Sequence, residues 1–376
     1  MSELKVDKVS PRSGNYVSLN TVGMKNIIIN GDMSIAQRGT TATGLGNGDG
    51  GYHTVDRWRF TESGSPTAEF TMSQDTDVPT GQGFTTSLKM DCTTAQGSLA
   101  AGDLFFVEQR FEGQNLQYLK KGTSNAISLT LSFWVKSNKT GTYVCELYDD
   151  DNTRTINKSF TVSSSNTWEK KTITYDGDTT GAFSNDNGNS LGVDFWLGAG
   201  SNFTSGTLQT SWGARVQANR AVGQVNLADS TSNYINITGV QLEAGTTASD
   251  FEFLPYDVNL ARCQRYYYKI IDVPGGDANG YFATGYLYSS NRLYFWIPLG
   301  IQMRASPSLY STLSSTGKFR ANTNIDRDTN NNPSLGNASG SIVNLNFDGW
   351  SGFTTGYAAA IRRYTATGVL GFNAEL

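Results

Sequence analysis

The sequence predicts an all-β protein: an antiparallel jelly-roll β-sandwich, then a short helical connector, then a smaller C-terminal β-sandwich module. Three observations carry this. Apolar and polar residues alternate in run after run, which puts the apolar set on one face of a pleated strand. Glycine is abundant at 41 of 376 residues while proline is only 8, and Gly, Asn, Asp and Ser gather between the runs as turn chemistry. Aromatic residues reach 12% and charged residues only 16%, against about a quarter charged in an ordinary soluble domain.

The elements follow in order. Residues 1–25 are polar, carry Pro11, Gly14 and Gly23, and hold too few large apolar groups for a core. They are expected to form an N-terminal arm for subunit docking or attachment to a larger particle. Over 26–255 the alternation repeats as a jelly roll. In Ile127-Ser-Leu-Thr-Leu-Ser-Phe-Trp-Val135 the residues Ile127, Leu129, Leu131, Phe133 and Val135 share a face. Similar runs lie at 88–92, 104–111, 143–148, 159–162, 168–175, 191–197 and 234–242. The stretch 260–270 is the helical candidate, with Leu260, Cys263, Gln264 and Tyr267 on one stripe, inside a connector over 256–279. Strands resume over 280–376, at 281–288, 292–299, 341–347 and 357–364, with a polar loop across 322–341.

Composition excludes several functions. A net charge of -4 supplies no basic stripe, so no nucleic-acid partner is expected. No apolar run reaches the length of a membrane span, and no membrane insertion is expected. The one histidine, His53, leaves little room for imidazole chemistry. Cys92, Cys145 and Cys263 fall outside any paired spacing and read as core thiols. The first residues lack a secretory core, so synthesis in a reducing cytoplasm is expected.

Candidate site residues come from the strand faces opposite the aliphatic sets. Trp134 lies opposite on 127–135, Glu146 and Tyr148 on 143–148, Asp194 and Trp196 on 191–197. If these strands share a sheet, they make a face of rings and carboxylates, the surface that a sugar ring wants. Cover by a loop or a neighbouring subunit suits the same residues. A carboxylate pair for glycoside cleavage would come from Glu108, Glu112, Glu146 or Asp194. Asp149, Asp150 and Asp151 bring oxygens together at a hairpin tip, where either calcium or plain solvation would hold them; no other cofactor is expected. In the C-terminal module Arg292, Tyr294 and Trp296 face away from Leu293, Phe295, Ile297 and Leu299, which makes Tyr294 and Trp296 further glycan contacts or subunit contacts.

The opening Met1-Ser-Glu-Leu-Lys-Val-Asp-Lys-Val-Ser-Pro-Arg-Ser-Gly14 resembles the N-terminal segment of tail-fibre and related virion proteins of T7-like and cyanobacterial phages. Five later segments resemble, in this order, a recurrent phage structural protein: Asn26-Ile-Ile-Ile-Asn-Gly-Asp-Met-Ser-Ile-Ala-Gln-Arg-Gly39, Asp56-Arg-Trp58, Leu131-Ser-Phe-Trp-Val-Lys-Ser137, Gly239-Val-Gln-Leu-Glu-Ala-Gly245 and Leu260-Ala-Arg-Cys-Gln-Arg-Tyr-Tyr267. The middle region is also similar to jelly-roll carbohydrate-binding modules. Asn30, Gly31 and Asp32 match their first strand, while Met33 and Ser34 depart from it and weaken a calcium site there. These resemblances imply a non-enzymatic component of the virion, a tail-fibre or host-facing appendage subunit. It would form a homotrimer, contact other virion proteins through its arm and attach to host surface polysaccharide outside the cell. Two alternatives remain open, a purely structural decoration, collar or head-fibre protein and a polysaccharide depolymerase.

Overall fold

The computed structural model describes residues 24–271, 281–313, 319–323, 326–329, 331–363 and 368–376. Most of the expected arm and the second part of the expected connector therefore lie outside the described residues. Strands and helices are numbered in chain order. One sheet runs β1 (Thr41–Leu45), β4 (Glu69–Asp75), β5 (Ser87–Thr94), β13 (Tyr234–Ala244), β7 (Leu129–Ser137), β10 (Glu169–Tyr175). The facing sheet runs β12 (Gly213–Ala214), β9 (Arg154–Val162), β8 (Gly141–Asp149), β11 (Asn189–Ala199), β6 (Leu104–Glu112), β3 (Arg59–Ser63), β2 (Gly51–Tyr52). Every pairing is antiparallel among the described residues, as the jelly-roll expectation requires.

The core between these sheets is built from the alternating residues. Leu129, Leu131, Phe133 and Val135 of β7 are buried against Tyr143, Cys145 and Leu147 of β8 and Leu191, Val193, Phe195 and Leu197 of β11. Phe133 meets Phe195 and Phe160 edge-on at 5.1 and 5.0 Å. All three cysteines are buried and free.

The helix α2 (Tyr256–Gln264) is shorter than the 260–270 stripe predicts. Its successor β14 (Tyr267–Ile271) is already a strand, paired with β23 (Leu370–Asn373), which in turn pairs with β17 (Ser308–Ser311). Three consecutive tyrosines at 266–268 favour extended backbone and supply the packing that ends the helix. This small sheet faces the sheet β19 (Asp326–Thr329), β18 (Phe319–Asn322), β22 (Ala358–Arg363), β15 (Tyr281–Ser289), β16 (Arg292–Pro298), β21 (Ile342–Asp348), β20 (Ser334–Ala338). Leu293, Phe295, Val343, Leu345 and Phe347 pack there with Leu370 and Phe372. The region expected as a polar loop over 322–341 thus contributes β19 and β20. Both are edge strands, which need no apolar alternation because half of their surface meets solvent.

Three of the segments that carry the phage resemblance, 26–39, 56–58 and 260–267, meet at the junction of the two modules. Asn30 bridges the Ile35 and Asp56 carbonyls through Nδ2 at 2.8 and 3.0 Å. The Trp58 indole donates to the Asn30 carbonyl at 3.1 Å. Asn259 of α2 donates to Asp32 and Ser34 at 3.1 Å. The Arg38 guanidinium lies 3.7 Å from the Tyr267 ring, Arg57 lies 3.5 Å from Tyr266, and Glu375 pairs with both arginines. Asn30, Met33 and Arg57 adopt φ of 59°, 61° and 73°, strain that a well-packed junction sustains. A Cβ on Gly31 would stand 2.1 Å from the Val240 carbonyl oxygen, so only glycine fits. Among the described residues no helix is long and apolar enough to cross a membrane.

Candidate functional site

The outer face of the seven-stranded sandwich sheet carries three acidic residues in one cross-strand row. Glu108 of β6 pairs with Asp194 of β11, and Asp194 pairs with Glu146 of β8. Like charges directly opposite destabilise a sheet, so cations must flank them. Arg59 meets Glu108 at 2.5 Å, Arg110 holds it through Nε and Nη2 at 2.9 and 3.0 Å, and Arg220 holds Glu146 through Nε at 2.9 and 3.0 Å. Burial would raise the Glu108 carboxyl, but Arg110 and Arg59 with the Thr61 hydroxyl hold it below its ordinary value. Asp194 has Arg220 no nearer than 3.7 Å. Burial, then the charges of Glu108 and Glu146, push its carboxyl well up.

This face is closed by the chain itself. Trp196 is 1% exposed, packed with Phe106, Val144, Phe203 and Ala221. Phe203 belongs to α1 (Ser201–Thr204), at the start of the segment that covers the sheet. The Trp196 indole donates to Glu146 at 3.1 Å, and the Arg220 guanidinium lies 4.9 Å from its ring. Glu146, Asp194 and Trp196 therefore form a buried charge network under a loop, which is the loop cover that the sequence reading holds open for them and not the open sugar face. Tyr148 shares the face and stays half-buried, with Arg215 at 4.7 Å over its ring. Trp134 does not share it: β7 belongs to the other sheet, where Trp134 pairs with Lys170 and Thr238. Alternation assigns a side chain to a strand face, but only the pairing order assigns the strand to a sheet.

The hairpin-tip aspartates do not converge. Asp149 points inward to the Lys121 ammonium at 2.5 Å. Asp151 accepts from the Ser184 amide and hydroxyl at 2.8 and 2.9 Å, and Asp150 is exposed. The Lys121 ammonium also touches Asp178 at 3.0 Å and the carbonyls of Thr180 and Gly181 at 2.9 and 2.7 Å. Lysine thus fills an oxygen cage that sequence inspection, seeing only the aspartates, had no means to locate. Among the described residues no group of three or more His, Cys, Asp or Glu side chains is placed to hold a metal ion.

The C-terminal module presents what the sandwich hides. On the outer face of its seven-stranded sheet, Tyr286 pairs with Tyr294, Tyr294 with Asn346, and Trp296 with Asn344. Tyr286, Tyr288 and Trp296 are 42%, 54% and 46% exposed. Tyr288 stacks on Tyr294 at 4.5 Å and 13°, while Tyr286 meets Tyr294 near-perpendicular at 5.9 Å. At one edge Arg292 and Asp348 form a two-point ion pair at 2.5 and 3.0 Å. Tyr357, also exposed, accepts the Leu287 amide at its carbonyl, 2.9 Å away. The face is a ledge of ring planes bordered by amides and charges, built by the alternation that the sequence displays at 292–298.

No protein-family model matches the chain, and no curated protein is similar to it. Solved structures with some likeness include the enzymatically active domain of tailspike protein 4 of bacteriophage CBA120, at 14% identity and TM-score 0.32, over 58% of this chain and 21% of that one. Others are carbohydrate-binding modules. A family 11 module from Clostridium thermocellum, in complex with a beta-1,3-1,4-mixed-linked tetrasaccharide, matches at 11% identity and TM-score 0.28 over 56% of this chain and 98% of its own. TmCBM61 in complex with beta-1,4-galactotriose matches at 10% and 0.30 over 59% and 99%. Likenesses of this size transfer neither ligand nor activity.

Proposed function

We propose that this protein is a non-catalytic carbohydrate-binding component of a phage appendage, which attaches to host surface polysaccharide through the ring ledge of its C-terminal sheet. The observation that carries the reading is the exposure of Tyr286, Tyr288 and Trp296 on one sheet face beside polar edges. Ring planes suit the C–H faces of sugars, and flanking amides and charges suit their hydroxyls. An open ledge, unlike a pocket, accepts a polymer laid across it. The acidic residues best placed for glycosidase chemistry, Glu108, Glu146 and Asp194, are buried and face arginines, which favours binding over cleavage. Virion location, the docking role of the arm and a homotrimer are parts of the same reading, drawn from the sequence resemblance.

The test is binding of host envelope polysaccharide by the full chain, by Tyr294→Ala/Trp296→Ala and by Trp134→Ala. The ledge variant should lose at least about tenfold in affinity, with Trp134→Ala unchanged; equal binding by all three would dismiss the ledge. A second reading has its own support, because Pro298 and Ile342 pair beside Trp296 and Ile342 is 40% exposed. There the face is apolar enough to pack on another copy of the chain. Trp296→Glu would then dissolve an oligomer in sedimentation analysis, while leaving polysaccharide binding unaffected.

A further inference from the structure

A cavity of about 320 Å³ opens between the N-terminal segment, the end of β6 and α2, away from the ring ledge. Ile27, Ile29, Phe111 and Tyr118 give it apolar and aromatic walls, and Glu112, Arg262 and Arg265 give it charge. The charges are not equivalent. Arg265 grips Glu112 through Nε and Nη2 at 2.7 and 2.6 Å, and Gln114 and the Tyr266 hydroxyl complete that carboxylate at 2.6 and 2.5 Å. Glu112 is thereby spent. Among the described residues Arg262 makes one hydrogen bond, to the Asn26 carbonyl at 3.3 Å, and no ion pair.

A guanidinium does not shed its proton in a protein, so a partly buried one with no carboxylate in ion-pair contact, Glu252 acting only from a distance, carries a desolvation cost that an arriving anion relieves. Burial disfavours the charged form of Arg262, and the neighbouring Cys263 and Tyr266 with the Glu252 carboxylate offset that only in part. Tyr118, 48% exposed on the same wall, offers a ring face to whatever enters.

We infer that this cavity binds one carboxylate-bearing sugar residue, a uronic acid, with the carboxylate on Arg262 and the pyranose ring against Tyr118 and Ile27. The planar fork of arginine accepts a carboxylate at two points, and the volume suits a single pyranose. The site is independent of the ledge.

The experiment is calorimetric titration of the full chain with glucuronate, with glucose as the uncharged ring and with acetate as the charge without a ring. Glucuronate should bind, weaken with added salt, and lose about ten- to hundredfold in affinity in Arg262→Gln. Ile27→Trp fills the cavity from a wall outside the charge network and should also abolish binding if Arg262→Gln proves unstable. The Tyr294→Ala/Trp296→Ala variant should bind glucuronate normally, which separates this site from the ledge. No glucuronate binding, equal binding of glucose or acetate, or full binding by both cavity variants would overturn the inference.

Discussion

Replacing Lys121 by methionine keeps the length and apolar stem of the side chain and removes only its ammonium. In the native chain that ammonium neutralises Asp149, whose side chain is 0% exposed, and Asp178, at 3%. The two are not equally dependent on it. Asp178 keeps Arg154 at 2.7 and 2.9 Å, whereas among the described residues Asp149 keeps the hydrogen bonds of Asn152, whose amide and side chain donate at 3.0–3.2 Å, and the more distant charge of Arg154 with no ion-pair contact. The cost is therefore mainly that of one uncompensated buried carboxylate, about 3–5 kcal/mol. At roughly 2–4 °C per kcal/mol for a domain of this size, the melting temperature should fall by about 6–20 °C in calorimetry. Adding Asp149→Asn should restore more than half of the loss, because the stranded charge is gone, with a coupling of at least about 2 kcal/mol. A fall below about 2 °C, or additive single and double variants, would refute the placement of this charge.

Other outcomes follow from the same geometry. Lys121→Ser empties the cage of two carboxylates and two carbonyls, so millimolar calcium should raise its melting temperature and leave the native protein unchanged; equal shifts would count against a latent cation cage. Arg220→Met strands Glu146 under the covering loop and should cost about 3–5 kcal/mol, seen as a lower melting temperature and faster proteolytic nicking within 201–221. Burial pushes Asp56 up to about 6, against the opposing Arg38 charge and Gln37 hydrogen bonds. Its folded form then holds a proton that the unfolded form has lost above about pH 4. Stability should fall as pH rises from about 4 to 6, by about 3 kcal/mol from this group; Asp194, shifted the same way, adds to it. Asp56→Asn should flatten that window in denaturant titrations, and an unchanged slope would contradict the assignment. Glu112 acts in the opposite sense: Arg265 and the Tyr266 hydroxyl outweigh burial and hold it low, so its stabilisation is lost as pH drops below about 4.

The sequence specifies the strands of the sandwich, because period-two alternation is a local property of the chain and survives any choice of neighbours. The runs at 127–135, 143–148 and 191–197 became β7, β8 and β11 with the expected aliphatic faces inward. It also placed Tyr294 and Trp296 on the outer face of β16, where both the pairing and the exposure of Trp296 agree. Tertiary structure alone decided that Trp134 and Trp196 sit on opposite sheets, since that depends on pairing between segments far apart in the chain. It also decided that Arg220 and Lys121 come from distant loops to neutralise the acidic row and the hairpin tip. A buried carboxylate and an exposed one occupy the same place in an alternating pattern. What separates them is the loop that folds over one and leaves the other in water.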